Sequence, residues 1–558
     1  MKKQPVKYIF ISGGVLSGLG KGVCASSLGI LLQKRGFKVG VIKCETYLNV
    51  DSGTINPIEH GDPFLCEDGL EADMDLGTYE RFLDIEVGRK NFLTMGMVYQ
   101  TIIQKERSMG YEGKTVDAIP HIPEEIIKNI KNAGEGNDIC IVELGGTVGE
   151  YQNIFNIEAA RIMKLNHPAD VIHVHLSYVP VPKHLGEPKT KPTQLSIRLL
   201  NSAGIQPEFL VVRSEVEIDR KRRDKLAINC NVNRDNIINN PDLDNIYELP
   251  GVFRDQEFHK KVMSILNLKP KKKRTDLRDW QLLVKRVKSK FDKEITVAIA
   301  GKYFATGDYE LPDSYISLIH AIKHACWYNK IDLNLKFINT EEIENRGIGM
   351  LSQLKPDGII VPIGWGKRGV EGKISAIELA RTNKIPYLGL CYGMQLAAVE
   401  YARNVCGLKD AHTEEVDPST QNPIIHSIPF NSKYQTIKGE GVSMRLGAFD
   451  CVIKKGSLAE MIYNKHNGWK DKRRLIVSER HRHRFEFNND YRSRLENQGF
   501  IVSGASPDDF FVEMIELDQK EHPFFFATQA HPEYKSRPLN PHPIFLEFTK
   551  AALKNKAL

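Results

Sequence analysis

The stretch Gly389-Leu390-Cys391-Tyr392-Gly393 sets a thiol between two glycines in the form of a nucleophile elbow, with cysteine in place of serine. The glycines permit a sharp strand-to-helix turn, and the positive end of a helix favours an anionic sulfur. Further along, Gln529-Ala530-His531-Pro532-Glu533 offers His531 to deprotonate the thiol and Glu533 to orient the imidazole. A lone cysteine is ordinarily structural; the elbow and the His-Pro-Glu partner together point to nucleophilic catalysis. The stretch Val361-Pro362-Ile363-Gly364-Trp365-Gly366 ends an apolar run and offers backbone N–H groups to an oxyanion. Ile363 is β-branched, so a left-handed backbone there would be strained by roughly 1–3 kcal/mol. Glu415 and Arg484 suit the ammonium and carboxylate of an amino-acid substrate. Taken alone, Arg480-His481-Arg482-His483-Arg484 reads equally well as a basic surface strand.

A second chemistry sits near the N-terminus. After the apolar run 7–12 comes Gly13-Gly14-Val15-Leu16-Ser17-Gly18-Leu19-Gly20-Lys21-Gly22, followed by a helix rich in small residues. Such a loop closes backbone N–H groups around phosphate oxygens, with a lysine charge and a helix dipole behind them. The spacing departs from the standard phosphate loop, and Gly22 stands where a magnesium-binding hydroxyl is usual, so a metal must find other ligands. The run 67–75 is rich in carboxylates, Asp75 among them, and Glu143 ends an apolar strand. Magnesium takes one or two carboxylates plus phosphate oxygens. The acidic run reads as well as a solvated face; Glu143, by its pattern, is not a surface position. Lys189-Thr190-Lys191-Pro192-Thr193-Gln194 can contact a triphosphate and a base edge, or be an exposed loop.

These residues need sheets to hold them. Short apolar runs at 39–43, 138–143, 170–175 and 209–213, and again at 294–301, 333–337, 358–362, 387–391 and 524–527, alternate with helical stretches. This predicts an α/β fold of two doubly wound domains. Lys269-Pro270-Lys271-Lys272-Lys273-Arg274 reads as a solvated basic linker between them. The predicted domains are 1–268, a linker with a helix at 269–292, and 293–558. With 41% apolar and 26% charged residues, collagen-like, coiled-coil and wholly disordered readings are excluded. The run 8–11 is too short for a signal-peptide core, and no stretch is long enough to span a membrane, so a cytoplasmic protein is expected. Nine cysteines without a Cys-x-x-Cys pair argue against a disulfide framework or zinc site. A net charge of +7 is too balanced to imply nucleic-acid binding.

Together these motifs resemble the CTP synthase family over essentially the whole chain. The likeness includes Asn49-Val50-Asp51, His60-Gly61, Asp73-Met74-Asp75-Leu76-Gly77, Tyr79-Glu80-Arg81-Phe82, Met444-Arg445-Leu446-Gly447 and the motifs above. The resemblance implies a P-loop-like (dethiobiotin-synthetase-like) amidoligase domain and a flavodoxin-like class I glutamine amidotransferase domain. It implies that Cys391 releases ammonia from glutamine, and that ammonia travels by an internal tunnel to UTP whose 4-oxygen ATP has phosphorylated. By residue match, Ser17, Gly18, Leu19, Gly20, Lys21, Gly22, Lys43, Asp75, Lys189, Gln194 and Lys225 would bind ATP and UTP. Asp75 and Glu143 would hold Mg²⁺, and Gly364, Gln395, Glu415 and Arg484 would hold glutamine. The resemblance further implies a homotetramer, with filaments left open, activated by GTP and inhibited by CTP, with no nucleic-acid or membrane partner.

The chain departs from the family at Cys44-Glu45-Thr46, at Ile363 and Tyr392, in an insertion around 304–309, and in the CTP-feedback region Glu150, Tyr151, Gln152 and Asn229. The alternatives are a paralogue aminating another pyrimidine nucleotide, and a nucleotide-sensing regulator or filament scaffold with a weakened glutaminase.

Overall fold

A computed structural model describes residues 5–56, 61, 63–273, 276–302, 305–306, 309–310, 312–427, 436–438 and 442–557. His60 and Arg274, and part of the insertion around 304–309, lie outside them.

Lys7–Gly14 buries every residue after Lys7, as a strand covered on both faces must. It sits at the middle of a seven-stranded sheet ordered Phe92–Thr94, Val39–Glu45, Ile139–Leu144, Lys7–Gly14, Val171–Tyr178, Phe209–Ser214, Ile237–Pro241. Every pairing is parallel. The strand order switches direction beside Lys7–Gly14, and ligands bind α/β sheets at such switch points, beyond the carboxyl ends of the strands. Phe10, Ile42, Val142 and Val171 form one core with Ile126, Ile130 and Ala160 from the helices Ala118–Gly134 and Ile154–Asn166.

The second sheet also begins parallel, ordered Asp332–Asn339, Glu294–Gly301, Gly358–Val361, Tyr387–Leu390 and Phe525–Thr528. It then turns antiparallel through Val512–Leu517, Phe500–Ala505 and Val442–Ile453, and Ile476–His483 pairs with Val442–Ile453. The parallel strands were legible as short apolar runs. The antiparallel wing was not, because Ile476–His483 (IVSERHRH) is mostly polar or charged and yet buried over most of its length.

The chain divides into two units, and the division differs from the sequence boundaries in two ways. The first unit runs to Thr54 and resumes at Asp75–Lys285; the described part of Ile55–Met74 belongs to the second unit with the chain from Arg286 on. There, Phe64–Leu65 pairs antiparallel with Glu71–Ala72. Arg480 donates to the Leu65 carbonyl at 2.9 Å and pairs with Glu67 at 3.1 Å, and Arg482 pairs with Glu71 at 2.5 Å. The 480–484 run is therefore no surface strand, and Glu71, 1% exposed, lies on no solvated face. The second difference is the linker. Its helix, Arg278–Lys288, buries Trp280, whose Nε1 donates to the Tyr247 carbonyl at 2.7 Å. Lys271 pairs with Asp138 at 2.6 Å, so the basic stretch is tied to the first unit rather than free.

Candidate active sites

The phosphate loop leads from Lys7–Gly14 into the helix Lys21–Lys34. Gly20 caps this helix with φ 83°, a left-handed backbone that favours glycine. Val15 takes φ 82°, an uncommon conformation for a β-branched residue and a sign of stored strain. A Cβ on Gly22 would lie 2.5 Å from Asp75 Oδ1. The place of the missing hydroxyl is thus taken by the Asp75 carboxylate.

Four of the predicted residues meet here. Lys21 Nζ donates to the Gly146 carbonyl at 2.8 Å. Lys43 Nζ, on Val39–Glu45, pairs with Glu143 at 3.0 Å and Glu45 at 3.2 Å, and also with Asp75. Tyr79, one turn after Asp75 on the helix Met74–Leu83, donates its hydroxyl to Glu143. Burial raises the Glu143 pKa, with Lys43 opposing. Burial also acts to raise that of Asp75, but the Lys43 ammonium outweighs it and holds the carboxyl below its ordinary value. Burial lowers the Lys21 pKa against the pull of Glu143. Two carboxylates that converge on one ammonium are close enough to share one cation, so Asp75 and Glu143 would suit a divalent cation such as magnesium. Beside the loop, Gly18, Leu19, Gly20, Arg213, Asn240 and Leu249 line a cavity of about 190 Å³. Neither Arg213 nor Asn240 was flagged by sequence, because each ends a strand without a motif.

The remaining nucleotide candidates are arrayed on neighbouring elements. Lys189 pairs with Glu187, which also pairs with Arg222 at 2.6 Å. Gln194 is buried in the helix Lys191–Ser202; its Nε2 donates to Thr190 Oγ1 at 3.1 Å, while Oε1 has no partner among the described residues. Lys225 and Asn229 lie on the exposed face of Arg220–Cys230, and Asn229 Nδ2 donates to the Lys225 carbonyl at 2.7 Å. Glu150 folds back to accept from the Thr147 hydroxyl at 2.6 Å, Tyr151 is 95% exposed, and Gln152 is exposed beside it.

In the second unit Cys391 caps the helix Tyr392–Asn404 with φ 52° and ψ −100°, the strained turn of a nucleophile elbow. A side chain on Gly393 would clash with the Val361 carbonyl oxygen, so glycine is required by space. Cys391 Sγ lies 3.7 Å from the Arg482 carbonyl oxygen and 3.5 Å from Gln529 Nε2. His531 Nδ1 donates to Glu533 Oε1 at 2.8 Å, and its Nε2 is buried with no hydrogen-bond partner among the described residues. Burial alone would lower the His531 pKa; the charges of Glu533 and Cys391 outweigh it and raise it to about 10.

A cavity of about 210 Å³ opens on the thiol, lined by Trp365, Cys391, Tyr392, Gln395, Glu415 and Arg484. Gln395 donates to Gln529 Oε1 at 3.1 Å, so Gln395, Gln529 and Cys391 form a chain. Glu415 accepts from the Gly366 N–H at 2.8 Å, and burial raises its pKa. Ile363 is buried, and its backbone is not left-handed, so it carries no such strain in this conformation. Lys302 and Lys373, which sequence reasoning missed, surround Gly364: a Cβ there would lie 2.8 Å from Lys373 Nζ and 3.0 Å from Lys302 Cε. The available signal was a lysine on the apolar face of a helix, with Val370 and Ile377 one turn away on either side.

Among the described residues no helix is long and apolar enough to cross a membrane. A family profile described as CTP synthase N-terminus matches residues 7–268, and one described as glutamine amidotransferase class-I matches 310–551. A CTP synthase of Caldanaerobacter subterraneus is 45% identical over 553 residues, 99% of either chain. One of Bacillus subtilis is 44% identical over 551 residues, 98% of this chain and 99% of that one. The glutaminase domain of Trypanosoma brucei CTPS with bound acivicin is 35% identical, spanning 47% of this chain and 94% of that one, with a TM-score of 0.41. The chain belongs to the CTP synthase family, carbon–nitrogen ligases that aminate UTP with nitrogen from glutamine.

Proposed function

We propose that one chain carries out both halves of CTP synthesis with the residues described above. The carrying observation is that a Cys391–His531–Glu533 arrangement and a Lys21–Lys43–Asp75–Glu143 cluster occur on the same polypeptide. In the second unit, Glu415 and Arg484 hold the ammonium and carboxylate of glutamine. The Cys391 thiolate attacks the side-chain amide carbon, the Gly364 N–H receives the oxyanion, and the His531 imidazolium protonates the departing ammonia. His531 then takes a proton from the water that hydrolyses the thioester.

In the first unit, Lys21 and Lys43 hold the phosphates of ATP, and the cavity beside Gly18 and Arg213 receives its base. Asp75 and Glu143 hold Mg²⁺, which neutralises phosphate charge when bound. Lys189, Gln194 and Lys225 contact UTP. The phosphorylated 4-oxygen of UTP is a leaving group where a carbonyl is not; ammonia delivered within the protein displaces it as phosphate. GTP activation, CTP inhibition and assembly into a homotetramer complete the reading. The last is supported by the exposed apolar residues Tyr151, Ile154, Leu195 and Leu199 in the first unit.

Incubation with UTP, ATP, Mg²⁺ and glutamine, and in parallel with ammonium, tests the reading by CTP formed. CTP is expected from either nitrogen source. Failure with both, in a folded protein, would overturn it, and a preference for another pyrimidine nucleotide would restrict it.

A further inference from the structure

The helix Val370–Thr382 carries one lysine on its buried face. Lys373 has no exposure at all. Among the described residues no carboxylate forms an ion pair with it, and burial pushes its pKa well below the ordinary lysine value, with Cys391 and Glu415 opposing only through space. Burying an ammonium without an adjoining acid costs stability, and such groups concentrate at functional sites.

What Lys373 does bind is the backbone before Gly364. Its Nζ donates to the Pro362 carbonyl at 2.8 Å and to that of Ile363 at 3.4 Å. The Tyr315 hydroxyl donates to the same Ile363 oxygen at 3.2 Å. On the other side of Gly364, Lys302 donates to the carbonyls of Gly366 at 3.1 Å and Arg368 at 3.2 Å, and to that of Trp365. The Ile363 oxygen and the Gly364 N–H belong to one trans peptide and point in opposite directions. Fixing the oxygen fixes the N–H. A hydrogen bond from the Lys373 amine to the oxygen also polarises the peptide, which makes its N–H a better donor.

We infer that Lys373 is a positioning residue for glutamine hydrolysis: through the Ile363 carbonyl it holds and polarises the Gly364 N–H that receives the oxyanion. The inference rests on the reading of Cys391 as the glutaminase nucleophile. Lys373 transfers no proton. The bond from sulfur to carbon forms at Cys391, the carbon–nitrogen bond breaks, and the proton for ammonia comes from His531.

The test is Lys373→Met, which keeps the length and removes the donor, with Tyr315→Phe as a milder second variant. Loss of an oxyanion donor costs about 10²–10³ in kcat. A donor that is loosened rather than deleted should cost roughly 10- to 100-fold in glutaminase kcat, with KM little changed. Tyr315→Phe should show the same signature at smaller size. Two probes separate an oxyanion effect from a collapsed site. Iodoacetamide alkylates Cys391 by displacing iodide and builds no oxyanion, so its rate should be unchanged. Glutamate γ-semialdehyde adds the thiol to form one, so its affinity should fall in step with kcat. Ammonia-dependent CTP synthesis should stay at the wild-type rate.

Unchanged kcat or semialdehyde affinity in Lys373→Met would overturn the inference. So would a parallel fall in alkylation, which would make Lys373 merely structural. If Lys373→Met does not fold, a Tyr315→Phe variant without the signature overturns it. A wild-type protein that hydrolyses no glutamine would sink the glutaminase reading itself, and the inference with it.

Discussion

His531 Nδ1 lies 2.8 Å from Glu533 Oε1, across a single proline, and both side chains are buried. A carboxylate only accepts, so Nδ1 carries the proton and Nε2 is the nitrogen left to serve the thiol. The ring stacks on Tyr534, with centroids 5.3 Å apart, and its backbone N–H donates to the Arg480 carbonyl at 2.7 Å. The imidazole is thus fixed in orientation as well as in charge.

The pH dependence of glutamine hydrolysis should follow from this pair. Glu533 favours the imidazolium, and with Cys391 it raises the His531 pKa to about 10. Removing a negative charge removes that support, so the pKa must fall. Glu533→Gln should move the alkaline limb of the glutaminase profile toward neutral pH by a unit or more and lower kcat. A profile whose alkaline limb does not move would show that Glu533 does not set the charge of His531.

The two chemistries should separate by mutation. Cys391→Ala removes the thiol that faces the cavity, so glutamine-dependent CTP synthesis should fall by several orders of magnitude while synthesis from ammonium persists. Lys21→Ala should abolish both, because it strips charge from the phosphoryl-transfer site. Continued use of glutamine by Cys391→Ala would refute the nucleophile assignment.

Ile363→Gly should not raise glutaminase activity. Ile363 is 4% exposed, packs among Tyr315, Leu388 and Cys391, and is free of left-handed strain. Truncating a buried isoleucine costs about 2–5 kcal/mol. A lower Tm with unchanged or reduced kcat is expected. Faster hydrolysis at an unchanged Tm would mean that isoleucine restrains a peptide the reaction needs to move.

CTP inhibition should be weak. An acidic residue at Gln152 and an aromatic at Asn229 are the family pattern, and Asn229 here is exposed with its amide turned to its own helix. A neutral acceptor in place of a charged one loses about 1 kcal/mol. A missing aromatic contact loses about 0.5–1.5 kcal/mol more. At about 1.4 kcal/mol per decade, inhibition should be roughly 10- to 50-fold weaker than in a restored Gln152→Glu, Asn229→Phe variant. A CTP titration at sub-saturating UTP reads this directly. Tight inhibition of the wild type, unimproved in the variant, would place the CTP contacts elsewhere.

The sequence by itself determined the parts whose physics is local. A phosphate loop needs glycines, a lysine and a helix start within ten residues, and Gly13 to Gly22 contains them. The elbow needs small residues beside Cys391, and the imidazole and its carboxylate lie two positions apart. Most parallel strands showed as apolar runs because both faces are covered, but the short strands Phe92–Thr94 and Ile237–Pro241 did not. Only the tertiary structure decided the rest. Asp75 fills the space at Gly22 from 53 positions away, a pairing that neither residue's neighbours announce. The described part of Ile55–Met74 leaves the unit that its flanking segments build, because Glu67 and Glu71 pair with arginines more than 400 positions downstream. Those arginines lie on a strand whose charged sequence reads as exposed. Lys302 and Lys373 looked like ordinary lysines until the fold wrapped the Pro362–Arg368 carbonyls around them. Charge in a sequence predicts solvent only when nothing distant satisfies it, and a partner hundreds of residues away leaves no periodicity to read.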